Sequence, residues 1–124
     1  MGGVAMAVRI KRAYEPAEPA DGYRILIDRL WPRGVRKTEA RLDEWAKELA
    51  PSPELRRWFG HDPARFEEFR RRYRDELADR QEKLRELRGR ARGETLTLVY
   101  GARDTEHNGA VVLAELLGAG RRSG

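Results

Sequence analysis

Two polar clusters carry most of the residues able to do chemistry, and each follows a short apolar run. The first is Asp28-Arg29-Leu30-Trp31-Pro32-Arg33-Gly34, and the second is Tyr100-Gly101-Ala102-Arg103-Asp104-Thr105-Glu106-His107-Asn108. In an open α/β sheet, ligands bind outside the carboxyl ends of the strands. Two clusters in that position predict one shared site for an anionic ligand. Arg29, Arg33 and Arg103 supply forked guanidinium donors that match a phosphate or a carboxylate. Asp28, Asp104 and His107 supply groups that orient a ligand or move a proton. Trp31 beside Pro32 offers a wall for a planar moiety, with Tyr14 or Trp58 as further contacts, and His61 and Asn108 add polar contacts. His107 falls in the first turn of the last expected helix, where the helix dipole disfavours imidazolium and leaves a neutral donor or base. The same residues have structural uses: Asp104 as a helix cap, Asp28 or Arg103 in an ion pair, Trp31 as core, His61 turned to water.

Composition narrows the classes. The chain has 124 residues and 40% hydrophobic content, which fits one domain with a real core, expected over about residues 6–117 with a flexible tail at 118–124. There is no cysteine, so disulfides, thiol nucleophiles and cysteine-based zinc sites are excluded. Two histidines without cysteine make a transition-metal site an unfavourable reading, and neither a metal nor a cofactor is expected. No apolar run approaches bilayer length and no signal peptide is visible, so a cytoplasmic location is expected. The net charge is +5, with 22 arginines against 4 lysines. That bias fits either codon usage or oxyanion recognition, and a pI near 10.0 permits nucleic-acid binding without establishing it.

The elements that must position these clusters follow from periodicity. Residues 4–11 end in strand-like alternation. The 12–21 segment reads as a loop, and 23–28 as a buried strand around Ile25-Leu26-Ile27. The direction of the first strand relative to the second is left open by so short a connection. A helix is expected from Glu39 to Pro51, with Leu42, Trp45, Ala46 and Leu49 on one face. Ser52-Pro53 and Asp62-Pro63 each read as an N-cap followed by proline, starting two further helices, and Gly60 fits a left-handed closure between them. The second of these helices buries Phe66, Phe69, Tyr73 and Leu77 and pairs Glu67 with Arg71, Glu68 with Arg72 and Arg72 with Glu76 outside. A helix ending at Gly93, a strand over 95–100 and a last helix capped by Asp104 complete the series. The sum is a single α/β domain with a small, mostly parallel sheet of three to four strands and helices packed around it.

Arg70-Arg71-Arg72-Tyr73-Arg74 is the densest basic run. It reads as an ion-paired solvated face or, alternatively, as a patch for a nucleic-acid backbone. No phosphate-binding glycine loop, dinucleotide fingerprint or nucleophile elbow is present.

The chain resembles the YeaO-like proteins, small bacterial members of the domain-of-unknown-function superfamily 488. The resemblance rests on Arg9-Ile10-Lys11-Arg12-Ala13-Tyr14, Asp28 to Gly34, Trp58-Phe59-Gly60-His61-Asp62-Pro63, Phe69 to Tyr73, and Tyr100 to Asp104 with His107-Asn108. It spans about residues 8–117 and implies a compact α/β domain of a cytosolic bacterial protein, without implying a reaction. Longer relatives carry an Asp-x-Arg and a Cys-His-Arg element at places similar to Asp28-Arg29 and His107-Asn108; the missing cysteine bars any thiol chemistry here. Gly101 and Gly109 depart from the short relatives and are expected to loosen their loop. Three functions follow as expectations: an enzyme hydrolysing or transferring groups on a phosphorylated metabolite or nucleotide, a nucleic-acid-binding or regulatory module, and a non-catalytic interaction protein.

Overall fold

The computed structural model describes residues 7–118. Positions 4–6 of the first expected strand, and the tail beyond 118, lie outside the described residues. Four strands form one parallel sheet in the order β1-β4-β2-β3: β1 Val8–Arg12, β2 Tyr23–Leu26, β3 Glu44–Trp45 and β4 Leu96–Tyr100. β4 lies between β1 and β2, with Val8 and Tyr23 both level with Leu96. The direction left open by the sequence is therefore parallel, and residues 13–22 cross over β4 with only a 3-10 turn at Pro19–Asp21.

Alternation along the strands sends the two faces to different partners. Ile25, Ile27, Leu96, Leu98 and Tyr100 face the main core. That core is closed by α2 Pro53–Phe59, α3 Phe66–Leu77, α4 Gln81–Gly93 and α5 Gly109–Leu116. Leu26 and Val99 face the other way and meet Ala13, Trp31, Val35 and Leu42 from the connections after β1 and β2, and Trp45 of β3. Lys11, Asp21, Arg24 and Thr97 are also buried. Asp21 is fully buried and accepts from Lys11 Nζ at 3.1 Å, from Arg24 Nη1 at 2.6 Å and from the Glu18 N–H at 3.0 Å. This ion cluster braces the short crossover that a strong apolar core would otherwise have to hold.

The helix expected over 39–50 is absent. α1 spans only Lys37–Ala40, and Arg41 closes it in the left-handed region at φ 48°. Trp45 instead joins the sheet beside Leu26, and its indole N–H donates to the Asp28 carbonyl at 2.7 Å. Leu42 and Trp45 therefore cover the loop side of the sheet, and Ala46 and Leu49 reach the main core.

The helix signals at Ser52-Pro53, Gly60 and Asp62-Pro63 hold. Ser52 Oγ accepts the Leu55 N–H at 3.1 Å, Asp62 accepts the Ala64 N–H at 3.0 Å, and Gly60 is left-handed at φ 55°. Phe66, Phe69, Tyr73 and Leu77 are all buried. Of the expected ion pairs on α3, Glu68–Arg72 forms at 2.8 Å. Glu67 takes Arg70 instead, Glu68 also takes Arg71, and Glu76 turns inward to accept from the Ser52 hydroxyl at 2.6 Å and the Ser52 N–H at 2.9 Å.

Candidate functional site

The carboxyl ends of β2 and β4 open into a cleft of about 430 Å³. Its walls come from the loop after β2, the start and end of α2, and the loop joining β4 to α5. The clusters at 28–33 and 100–109 thus face one hollow although remote along the chain. The inner lining is apolar, with Ile27, Phe59, Phe69, Tyr100, Pro32 and Pro51. Arg29, Arg33, Arg56 and Arg57 bring four guanidinium groups to it. Arg33, Arg56 and Arg57 are exposed and form no ion pair among the described residues. Arg29 donates to the Pro51 carbonyl at 3.4 Å, while its Nε is buried without a partner.

Asp28 sits two residues past the end of β2, in the cleft lining. Its Oδ2 accepts the Gly101 N–H at 2.8 Å. A Cβ at position 101 would stand 3.1 Å from Oδ2 and 3.7 Å from Pro32 Cβ, so the glycine relieves a tight approach. Burial pushes the Asp28 carboxyl above the usual carboxylate range, against the Gly101 N–H and the Arg56 charge, which both favour ionisation. Gly109 is also a close-approach residue, since a Cβ there would lie 3.3 Å from Tyr73 Cε2 and 3.6 Å from Pro51 Cγ. The two glycines expected to loosen the loop therefore let it pack closely.

Trp31 lines the cleft but is held edge-on to Trp45, with centroids 5.4 Å apart, and its N–H donates to the Val35 carbonyl at 2.7 Å. Tyr14 lies at the mouth, where its hydroxyl donates to the Arg33 carbonyl at 2.9 Å. Arg12 stacks on the Tyr14 ring at 4.7 Å and donates to the Ala102 carbonyl at 2.8 Å, so the pair ties the two clusters to each other. His61 lines the cleft from a left-handed position at φ 57°. Trp58 is outside the lining, under the guanidiniums of Arg72 at 4.2 Å and Arg65 at 5.4 Å.

His107 and Asn108 both line the cleft. The His107 ring packs edge-on to Phe66 at 5.2 Å, and its Nδ1 lies 2.9 Å from Asp104 Oδ2. Asn108, and not Asp104, caps α5: its Oδ1 accepts the Val111 N–H at 3.0 Å and its amide donates to the Asp104 carbonyl at 2.7 Å. Asp104 turns the preceding loop, accepting the Glu106 and His107 N–H groups at 2.9 and 3.0 Å. Those backbone bonds and the His107 contact hold its carboxyl below the ordinary range.

Arg103 and Asp104 do not line the cleft, and Arg103 is exposed. Arg56 and Arg57 take the place that Arg103 was expected to fill. One signal for Arg56 was present in the sequence. Ser52, Pro53, Phe59 and Gly60 occupy its helical neighbour positions, so no acid on its own helix can neutralise it.

Outside the cleft, Arg70, Arg71, Arg72 and Arg74 each meet a carboxylate, from Glu67, Glu68 or Glu115. Among the described residues no group of three or more His, Cys, Asp or Glu side chains converges as a metal site. No helix there is long and apolar enough to cross a membrane.

A small parallel α/β domain with an arginine-lined cleft at its strand ends is the class that fold and geometry define. Residues 7–121 match the family model described as the inactive DUF488-N3 subclade, and the chain belongs to that family. It is 48% identical over 112 residues to the uncharacterized protein YeaO of Escherichia coli K12, covering 90% of this chain and 97% of that one. It is 46% identical over 112 residues to the uncharacterized protein Rv3073c of Mycobacterium tuberculosis H37Rv, covering 89% of this chain and 92% of that one. No solved structure matches the chain significantly.

Proposed function

We propose that the cleft binds a small ligand bearing a phosphate or carboxylate group, and that the protein acts through binding and not through turnover. The observation that carries the reading is the set of guanidiniums at one apolar hollow, three of them on exposed side chains without an acid partner among the described residues. The arginines on α3 meet carboxylates, whereas those at the cleft stand together around one hollow without one. Arginines left free around a concave apolar surface present a fork ready for an oxyanion. Asn108 and Gly109 add the start of α5, whose free N–H groups favour the same charge.

Two features favour binding over catalysis. No serine, threonine or cysteine is among the residues lining the cleft, so neither a hydroxyl of that kind nor a thiol is placed to attack a ligand. Asp104 and His107 form a pair, but Asp104 serves the loop backbone and stands outside the lining. The name of the family, an inactive subclade, agrees with this choice.

The test is a thermal-shift titration with pyrophosphate, citrate and nucleoside monophosphates on the wild type and on the double variant Arg56→Ala/Arg57→Ala. A ligand that binds the folded state raises the melting temperature with its concentration. The wild type shifts and the double variant, which keeps its unliganded melting temperature, does not. Equal shifts in both proteins refute the site.

A further inference from the structure

We propose that His107 is a proton-dependent contact of the anion, so that the cleft takes up a proton as it takes up its ligand. This rests on the anion-binding reading above. His107 lines the cleft, whereas Asp104, whose Oδ2 lies 2.9 Å from its Nδ1, stands outside the lining. The Nδ1 edge of the ring is therefore turned away from the hollow. Nε2 has no hydrogen-bond partner among the described residues and is open to solvent, on a side chain 33% exposed. α5 begins at Gly109, so the ring precedes the Asn108 cap and stands beside the free N–H groups of the helix start, where an anion is favoured.

Asp104 prepares the ring for charge. The Glu106 N–H, then the His107 ring and N–H, hold its carboxyl below the ordinary range, so it is ionised near neutral pH. With Nδ1–H donating to that carboxylate, a proton added at Nε2 makes a donor that faces the cleft. The empty cleft opposes this proton. Arg29, Arg56 and Arg57 line the same hollow, and the start of α5 presents the positive end of its dipole. From α3 the ring meets Phe66, edge-on at 5.2 Å; the Arg70 guanidinium that lies 4.8 Å from the Phe66 ring is matched by Glu67 and Glu115.

A bound anion reverses the balance. It neutralises the arginines and the helix start, and it gives the Nε2 proton an acceptor. Binding and protonation then favour each other, and by linkage the anion binds more tightly as pH falls. Asp28 and His61 also titrate within the lining, and separate variants distinguish them from His107.

The experiment is calorimetric titration of the full chain with sulfate, whose charge is constant across the neutral range. Two buffers of different ionisation heat give the proton count. Pyrophosphate is run alongside, with the count read as the difference between wild type and variant. In the wild type, sulfate binds about tenfold more tightly at about pH 6 than at about pH 8, the size of one charge-assisted hydrogen bond, and takes up part of a proton between them. His107→Gln binds without that uptake, and unfolding curves verify its fold. Asp104→Asn is a second variant that keeps the loop, since its Oδ1 still accepts the Glu106 and His107 N–H groups. Its amide NH2 faces Nδ1 and opposes a proton there, so uptake falls as well. Asp28→Asn and His61→Gln change the affinity without removing the uptake. Binding without proton uptake in the wild type overturns the inference and leaves the anion site standing. Uptake that survives in His107→Gln, or vanishes in Asp28→Asn or His61→Gln, does the same. If neither sulfate nor pyrophosphate binds the wild type, the anion site falls and this inference with it.

Discussion

Removing Asp21 tests how the short crossover is held. Asp21→Ala leaves two buried cations, Lys11 and Arg24, facing each other without their shared carboxylate. Breaking a buried pair by deleting one partner typically costs about 3–5 kcal/mol. Two contacts survive and place the expected loss at the lower end, about 3 kcal/mol. Lys11 keeps Glu18 at 2.8 Å, and Arg24 Nε keeps the Ala40 carbonyl at 2.9 Å. Arg24 Nη2 is already buried without a partner, so the guanidinium has no second acid to fall back on. Against a total stability of about 5–15 kcal/mol for a domain, the variant remains folded but is visibly weakened. Urea unfolding followed by tryptophan fluorescence measures the loss. The sign with pH is equally definite. Burial alone would raise the Asp21 pKa, but the Glu18 N–H, Lys11 and Arg24 outweigh it and hold the pKa below its ordinary value of 3.8. The stabilisation is therefore complete above the unfolded-state pKa and disappears as pH falls through the lowered native value. Wild type loses stability in that acid window faster than the variant does. A loss below about 1 kcal/mol at pH 7, or identical acid profiles, would refute the bracing role.

Other substitutions probe the fold and the cleft separately. Gly22→Ala puts a Cβ 2.3 Å from the Thr95 carbonyl oxygen at φ +62°, so it lowers the urea midpoint, whereas Gly89→Ala, inside α4 with nothing within 4 Å of its Cβ, raises it. Asp28→Asn behaves oppositely to Asp21. Its native pKa is raised, so wild-type stability rises as pH falls from the native toward the unfolded value, and the variant is at least as stable as wild type at pH 7 when both are unfolded in urea. Arg12→Ala frees the Ala102 carbonyl and the Tyr14 ring, and calorimetry should show weaker pyrophosphate binding with unfolding changed by less than about 1 kcal/mol.

Local signals in this chain were read correctly where one residue's geometry decides the outcome. Ser52-Pro53, Gly60 and Asp62-Pro63 mark their turns because cap and left-handed positions have few alternatives. The buried stripe of α3 was legible for the same reason. The expected 39–50 helix failed because helical spacing of Leu42, Trp45, Ala46 and Leu49 also serves a chain that passes between two cores, and only the sheet itself supplies the partner for Trp45. That Asp28, Arg29, Arg33, His107 and Asn108 share one cleft is legible because both clusters follow strands of one parallel sheet. Arg103 was misplaced because the Asp104 turn intervenes before α5 and Asn108 takes the cap. Arg56 and Arg57 reach the cleft by packing of α2 against α3, a long-range fact that local spacing does not contain.

The convergence of the two clusters on one anion site is most directly tested by amide NMR during a pyrophosphate titration. A single anion site gives saturable shifts at Arg29–Arg33, Arg56, Arg57, Gly101 and His107–Gly109, with little change along Arg70–Arg74, whose charges are already matched. Shifts centred on the α3 arginines, or unsaturable changes scattered over the basic surface, would contradict it.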